Sequence, residues 1–130
     1  TASELPKKTP KKLKPIRHGT VYLGQRADGA WLLETRPDKG LLGGMLGWPG
    51  TDWIEADGPR PAGTPPAPAD WQPLAGEVRH TFTHFHLMLT VMHAPLPNDT
   101  EPARGHFVVR DDFRPSDLPT VMRKAYDLLR

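Results

Sequence analysis

Apolar residues alternate with polar ones in short runs through most of the chain, and the spacing becomes helical only near its end. Thr20-Val21-Tyr22-Leu23-Gly24-Gln25 reads as a strand, and Trp31-Leu32-Leu33-Glu34-Thr35-Arg36 as a second. Ala27-Asp28-Gly29 between them supplies a short Asp-Gly loop, with Gly29 placed for a positive φ, so the two strands predict a hairpin. Both strands carry apolar residues on both faces, which implies a sheet covered on two sides. Further on, Val78, His80 and Phe82 share one strand face, while Phe85, Leu87, Leu89 and Val91 follow in the opposite parity. The phase change at Thr83-His84 implies a turn, bulge or loop there. His106-Phe107-Val108-Val109-Arg110 is another short strand. Ser116 or Asp117 is a candidate cap for a final helix, with Pro119 in its first turn. In that helix Leu118, Val121, Met122, Ala125, Leu128 and Leu129 recur at helical spacing and form one apolar face.

Two segments break the pattern. Arg36 to Gly50 holds five glycines and two prolines, which forbids a regular helix. It also carries Leu41, Leu42, Met45, Leu46 and Trp48, the composition of a loop that folds back over a core. It lacks the Gly-Lys-Ser/Thr ending of a phosphate-cradling loop. Residues 56–69 hold five prolines and two glycines and read as a mobile surface loop.

At 130 residues the chain is one domain, long enough to bury a core. It has no cysteine, which excludes disulfides, thiol catalysis and any Cys-ligated metal or iron–sulfur site within it. No apolar run approaches the roughly 20 residues of a membrane helix. The net charge of +2 conceals an asymmetry. Residues 1–19 set Lys7, Lys8, Lys11, Lys12, Lys14 and Arg17 against the single Glu4, a local +5 that leaves −3 for the remainder. Interleaved with Pro6, Pro10 and Pro15, this segment favours an extended, solvated conformation. It is either a plain linker or a strap whose lysines touch an anionic partner such as a phosphate backbone.

Candidate chemistry is sparse. His80, His84 and His86 lie close together, so a three-His zinc site is conceivable, but the phase break separates His80 from the others and structural roles fit better. Ser3 and Ser116 are the only serines, one in the basic segment and one near a helix start, and neither suggests a Ser-His-Asp triad. The carboxylates form no hydrolytic dyad or metal cage. Trp31, Trp48, Trp53 and Trp71 could stack on bases, although core packing is the commoner use. A mixed α/β domain with a basic tail emerges, lacking a nucleophile, a paired acid and base, or a cofactor cradle.

Three segments in order carry a resemblance covering roughly residues 15–130. Arg36-Pro37 through Gly40-Leu41-Leu42-Gly43-Gly44-Met45-Leu46-Gly47-Trp48-Pro49-Gly50 resembles the loop after the first hairpin in the C-terminal domain of MutY-type adenine DNA glycosylases. Val78-Arg79-His80-Thr81-Phe82-Thr83-His84-Phe85-His86-Leu87 resembles that family's Phe-Ser-His recognition segment. Leu118-Pro119-Thr120-Val121-Met122-Arg123-Lys124 looks like its closing helix. The Lys/Pro-rich start is similar to the end of the connector between that family's two domains.

The resemblance implies an α+β, Nudix-like fold: a mixed β-sheet sandwiched between helices, as in MutT-type enzymes that hydrolyse 8-oxo-dGTP. A Nudix hydrolase box needs an Arg-Glu…Glu-Glu helix to hold Mg²⁺. Here Gly50 is followed by Thr51-Asp52-Trp53-Ile54-Glu55 and then the proline run, so the box helix is truncated or missing. Residues 1–18 are then an interdomain linker and 19–130 an 8-oxoguanine-recognition domain of a glycosylase that removes adenine mispaired with 8-oxoguanine. The implied lesion readers are Phe82, Thr83 and His84, with Thr in place of the family's Ser. Lys7, Lys8, Lys11, Lys12 and Lys14 would contact the DNA backbone. The chain itself is expected to be non-catalytic and without a metal or cofactor; the parent's 4Fe-4S cluster and catalytic residues would lie in an N-terminal domain. The expected partners are duplex DNA containing 8-oxoguanine opposite adenine and that catalytic domain, in a bacterial cytoplasm. The alternatives are an active Nudix hydrolase of oxidised nucleotides and a protein-interaction module.

Overall fold

The computed structural model describes residues 14–35, 44–51, 53–54 and 65–129. Its centre is a pair of long parallel strands. β1 (Ile16–Arg26) and β6 (His86–Leu96) run side by side from the Ile16–His86 rung to the Arg26–Leu96 rung. Parallel neighbours require a long crossover, and everything between Arg26 and His86 supplies it. β2 (Trp31–Thr35) turns back antiparallel to β1 through residues 27–29. Gly29 sits at φ +97°, a conformation that the tight return requires and that side chains other than glycine rarely adopt. β3 (Leu46–Gly47) and β7 (His106–Val108) pair with β2. β4 (Gln72–Pro73) and β5 (Val78–Thr81) pair with opposite ends of β6. The result is a seven-stranded mixed sheet.

Both faces of the sheet are covered, as the apolar pattern of β1 and β2 requires. On one face Val21, Leu23, Leu33, Leu87, Leu89 and Val91 pack beneath Val121, Met122 and Ala125 of α1 (Thr120–Leu129). On the other, Leu32 and Leu96 meet Ala67, with Trp71 and Phe107 beside them. α1 is the one α-helix among the described residues, so the second face is closed there by irregular chain. The Gly-rich segment does fold back over the core: Trp48 is buried and its indole N–H donates to the Met122 carbonyl oxygen at 2.9 Å. Its continuation runs along β1 through bridges of Val21 with Gly50 and His18 with Ile54. A Cβ on Gly50 would collide with the Thr20 carbonyl oxygen, which explains a glycine at that close approach.

Three details differ from the sequence expectation. Ser116 and Asp117 do not cap the last helix; they form a single 3-10 turn, Pro115–Asp117. Leu118 is extended at φ −91°, ψ 143°. The ring of Pro119 disfavours an α conformation in the residue before it, so the helix begins only at Thr120, with the Arg123 N–H bonded to the Pro119 carbonyl oxygen. The proline-rich stretch is also not wholly a surface loop. Residues 55–64 lie outside the described residues, but Pro66 and Ala67 are buried, Ala67 in the second core cluster. Proline has no N–H to desolvate, so such a segment can enter a core without an unsatisfied donor. Finally, β1 begins inside the segment expected to be linker: Lys14 to His18 are described, and the Pro15 carbonyl oxygen accepts the His86 N–H.

Candidate nucleic-acid interface

β5 and β6 form a hairpin whose register explains the phase change in the sequence. Val78 opposes Leu89, His80 opposes Leu87 and Thr81 opposes His86. The next rung is Phe82 with Phe85, closed by a 2.8 Å bond from the Phe82 N–H to the Phe85 carbonyl oxygen. Thr83 and His84 are thus the two-residue tip. Opposed residues share a sheet face, so Val78, His80, Phe82, Phe85, Leu87 and Leu89 all lie on the α1 side despite their opposite parities. The apparent slip is the turn itself.

The tip stands on an aromatic base. Phe85 is buried, and its ring centroid lies 4.9 Å from that of Phe82. Phe82 is also stacked on Trp53 at 6.0 Å and meets the His80 ring edge-on at 4.7 Å. Above this base the Thr83 and His84 side chains are exposed to solvent. Two cations flank it. The Lys14 amine donates to the Phe82 carbonyl oxygen at 3.2 Å, and the Arg17 guanidinium lies 4.4 Å above the Phe85 ring. Farther down the hairpin the Lys124 amine is 3.0 Å from His80 Nδ1, which must be the unprotonated ring nitrogen. Burial, and then the Lys124 charge, hold the His80 imidazole below its ordinary pKa, which favours that neutral form.

The structure brings Phe82, Thr83, His84 and Lys14 together; Lys7, Lys8, Lys11 and Lys12 lie outside the described residues. Sequence reading overlooked Arg17. Its signal was available, since Ile16 to Arg26 alternates no worse than the strand read from Thr20, but the basic composition obscured it. Among the described residues, no group of three His, Cys, Asp or Glu side chains is placed to hold a metal. His84 is at the tip while His86 is on the outer strand face with its Nδ1 2.8 Å from the Thr81 hydroxyl, so the three histidines do not converge. Asp52, Glu55 and Asp57, the carboxylates that follow Gly50, lie outside the described residues. What the tip offers is a hydroxyl, an imidazole and two nearby cations on an aromatic base.

A two-faced mixed sheet with a closing helix and an exposed aromatic-based hairpin is a Nudix-type scaffold. The chain belongs to the NUDIX domain family, which it matches over residues 20–128. It is 29% identical over 109 residues to the adenine DNA glycosylase of Homo sapiens, a match covering 73% of this chain and 20% of that protein. The chain therefore spans about a fifth of the length of that curated relative. Its fold is similar to the C-terminal domain of mouse MUTYH, solved in complex with human PCNA (TM-score 0.62, 24% identity, 87% of this chain and 86% of that one). It is also similar to the MutT protein of Methanosarcina mazei Go1 (TM-score 0.64, 16% identity, 90% of this chain and 94% of that one).

Proposed function

We propose that this domain is the lesion-reading part of an adenine DNA glycosylase that removes adenine opposite 8-oxoguanine, and that it is itself non-catalytic. The observation that carries this reading is the Thr83-His84 tip, exposed and braced by buried Phe85. The sequence similarity to a glycosylase supports the same assignment. Guanine presents acceptors at N7 and O6 in the major groove. In 8-oxoguanine N7 carries a hydrogen and C8 an oxygen, so a donor stands where an acceptor was. A hydroxyl can accept from N7–H and donate to a neighbouring oxygen; a carbonyl or an ammonium cannot do both. In this reading Thr83 meets the base edge, Phe82 packs beside it and His84 bonds the loop or a phosphate. Lys7, Lys8, Lys11, Lys12 and Lys14 follow the DNA backbone. The catalytic groups and the iron–sulfur cluster belong to another domain of the parent protein, which acts on DNA in the bacterial cytoplasm.

The experiment compares Thr83→Val with Thr83→Ser in the full-length protein, on duplexes with adenine opposite 8-oxoguanine and opposite guanine at one salt concentration. A good base-edge contact supplies about 1–3 kcal/mol of discrimination, so Val lowers the preference by about tenfold or more and Ser keeps it. Equal behaviour of the two variants refutes the hydroxyl as reader. Mg²⁺-dependent hydrolysis of 8-oxo-dGTP by the purified domain would instead favour a nucleotide hydrolase.

A further inference from the structure

The outer face of the same hairpin carries a second set of groups. Arg79 opposes Met88 and Thr81 opposes His86, all on the side away from Phe82 and Phe85. Parallel pairing adds Ile16 beside His86. Lys124 reaches the free edge of β5 from α1, its amine 2.9 Å from the Arg79 carbonyl oxygen. These residues, with His80 and Leu87, line an open groove of about 680 Å³.

Its chemistry is one-sided. Among the described residues, no carboxylate lines it. The Arg79 side chain is 76% exposed, and the Glu77 carboxylate is 3.7 Å from it, beyond hydrogen-bond range. An ammonium has three donors; the Lys124 amine directs two of them at Arg79 and His80, leaving one for a ligand. The Thr81 hydroxyl lies 2.8 Å from His86 Nδ1, so this polar pair forms one wall of the groove. Ile16 and Met88 provide an apolar floor. Two cations, the Lys124 amine held by its bonds and the exposed Arg79 guanidinium beside Glu77, and an apolar floor complement an anion carried on a less polar chain.

We propose that this groove holds the sugar–phosphate backbone of the DNA strand whose base meets the hairpin tip, with Arg79 and Lys124 as its phosphate contacts. The proposal rests on the function assigned above. The Thr81–His86 rung lies two residues behind the tip, about 7 Å at the usual strand rise. That short offset places the groove beside the tip, within reach of the backbone of the strand read at Thr83. An acidic protein segment would meet the same cations but gains nothing from their continuity with the tip.

Phosphate contacts reveal themselves through salt. Each one lost removes about 0.9 from the slope of log affinity against log salt, without regard to sequence. The test measures binding of lesion and undamaged duplexes across a salt series for wild type, Arg79→Gln and the Arg79→Gln/Lys124→Gln pair. The single variant should lower the slope by about 1 and the pair by about 2, weakening both duplexes by the same factor. Arg79→Gln alone keeps the test valid if loss of the Lys124 bonds unfolds the edge, because its side chain is largely solvated. An unchanged slope for Arg79→Gln overturns the proposal and leaves the groove to an acidic partner. A loss confined to the lesion duplex also overturns it, since that makes these residues base readers. Thr83→Val run in parallel separates the two claims: it should change the lesion preference and leave the slope alone. If Thr83→Val shifts nothing while the slopes fall, the groove stands and the tip assignment fails; if wild type shows no salt-dependent DNA binding, both fail.

Discussion

The two hairpins of this domain use their polar groups in opposite ways. At the β1–β2 turn the polar atoms satisfy one another. Arg26 grips Asp28 with bonds of 2.9 and 2.7 Å, Asp28 accepts the Ala30 N–H at 3.1 Å, and Asn98 accepts the Asp28 N–H at 3.0 Å. Arg26 also lies 4.6 Å over the Phe107 ring. The bonds from Arg26 and from the Ala30 backbone hold the Asp28 carboxyl down at about 2, so the turn is a closed network at neutral pH. At the β5–β6 tip the order is reversed. The hydrophobic groups are saturated, with Phe82 among Trp53, His80 and Phe85, while Thr83 and His84 face solvent. A turn that only reverses the chain spends its polar side chains internally. A turn that binds keeps them free and takes its rigidity from the rings below.

That contrast can be broken from either side. The largest effect is expected for Phe85→Ala. Removing a buried aromatic side chain costs about 3–5 kcal/mol, visible as a lower urea midpoint. Because the ring supports the tip, lesion preference should fall too; a destabilised variant with full preference would show that the base does not position the tip. A smaller effect is expected for Gly29→Ala. Its φ of +97° and a new Cβ about 3.0 Å from Arg110 Cδ make the substitution strained. A cost of about 1–2 kcal/mol follows, read as a lower Tm with lesion preference unchanged. A change in preference would mean that the two hairpins are coupled through the sheet.

A milder perturbation is pH. Burial lowers the His93 pKa from its ordinary value of 6.5, and burial together with Lys124 does the same for His80. Both groups bind a proton more readily when unfolded, so stability rises with pH wherever the unfolded chain holds the extra protons. Their contribution is complete above the unfolded value near 6.5 and is lost as pH falls through the lower folded values. His93→Gln should flatten the decline in Tm below pH 6.5; an equally steep decline would assign it to other groups. The smallest expected effect concerns the basic segment. Replacing Lys7, Lys8, Lys11 and Lys12 with Gln should leave Tm unchanged and reduce the salt slope of DNA binding by up to about 0.9 per lysine. An unchanged slope would identify the segment as a plain linker.

Much of this was legible in the residues. Period-two runs located β5 and β6, because a half-buried strand imposes alternation on its own sequence, whereas β1 and β2 showed themselves as apolar runs on either side of an Asp-Gly turn. The parity switch between Phe82 and Phe85 placed the tip before any contact was known. Strand starts were less legible: Lys14 to Arg17 read as solvated tail, since composition does not report that Pro15 accepts the His86 N–H from the far side of the crossover. The short strands β3 and β4 carry no period, as two residues cannot show one. The burial of Pro66 and Ala67 was equally silent, because nothing local distinguishes an alanine packed with Leu32 and Leu96, or the proline before it, from the same residues in water.

The sequence by itself determined the strand pattern, the closing helix and the lack of thiol chemistry, which depend on residue type and near neighbours; Phe82, Thr83 and His84 became candidate readers only through the family resemblance. Only the tertiary structure decided which faces those residues occupy and what stands beside them. Lys14 and Arg17 reach the hairpin because β1 lies parallel to β6, and Lys124 reaches Arg79 because α1 packs along β5. Parallel pairing joins positions 70 residues apart, from Ile16 to His86, and no local preference encodes a contact at that separation. It is fixed by which arrangement buries Leu23, Leu89 and Met122 together, a property of the whole chain.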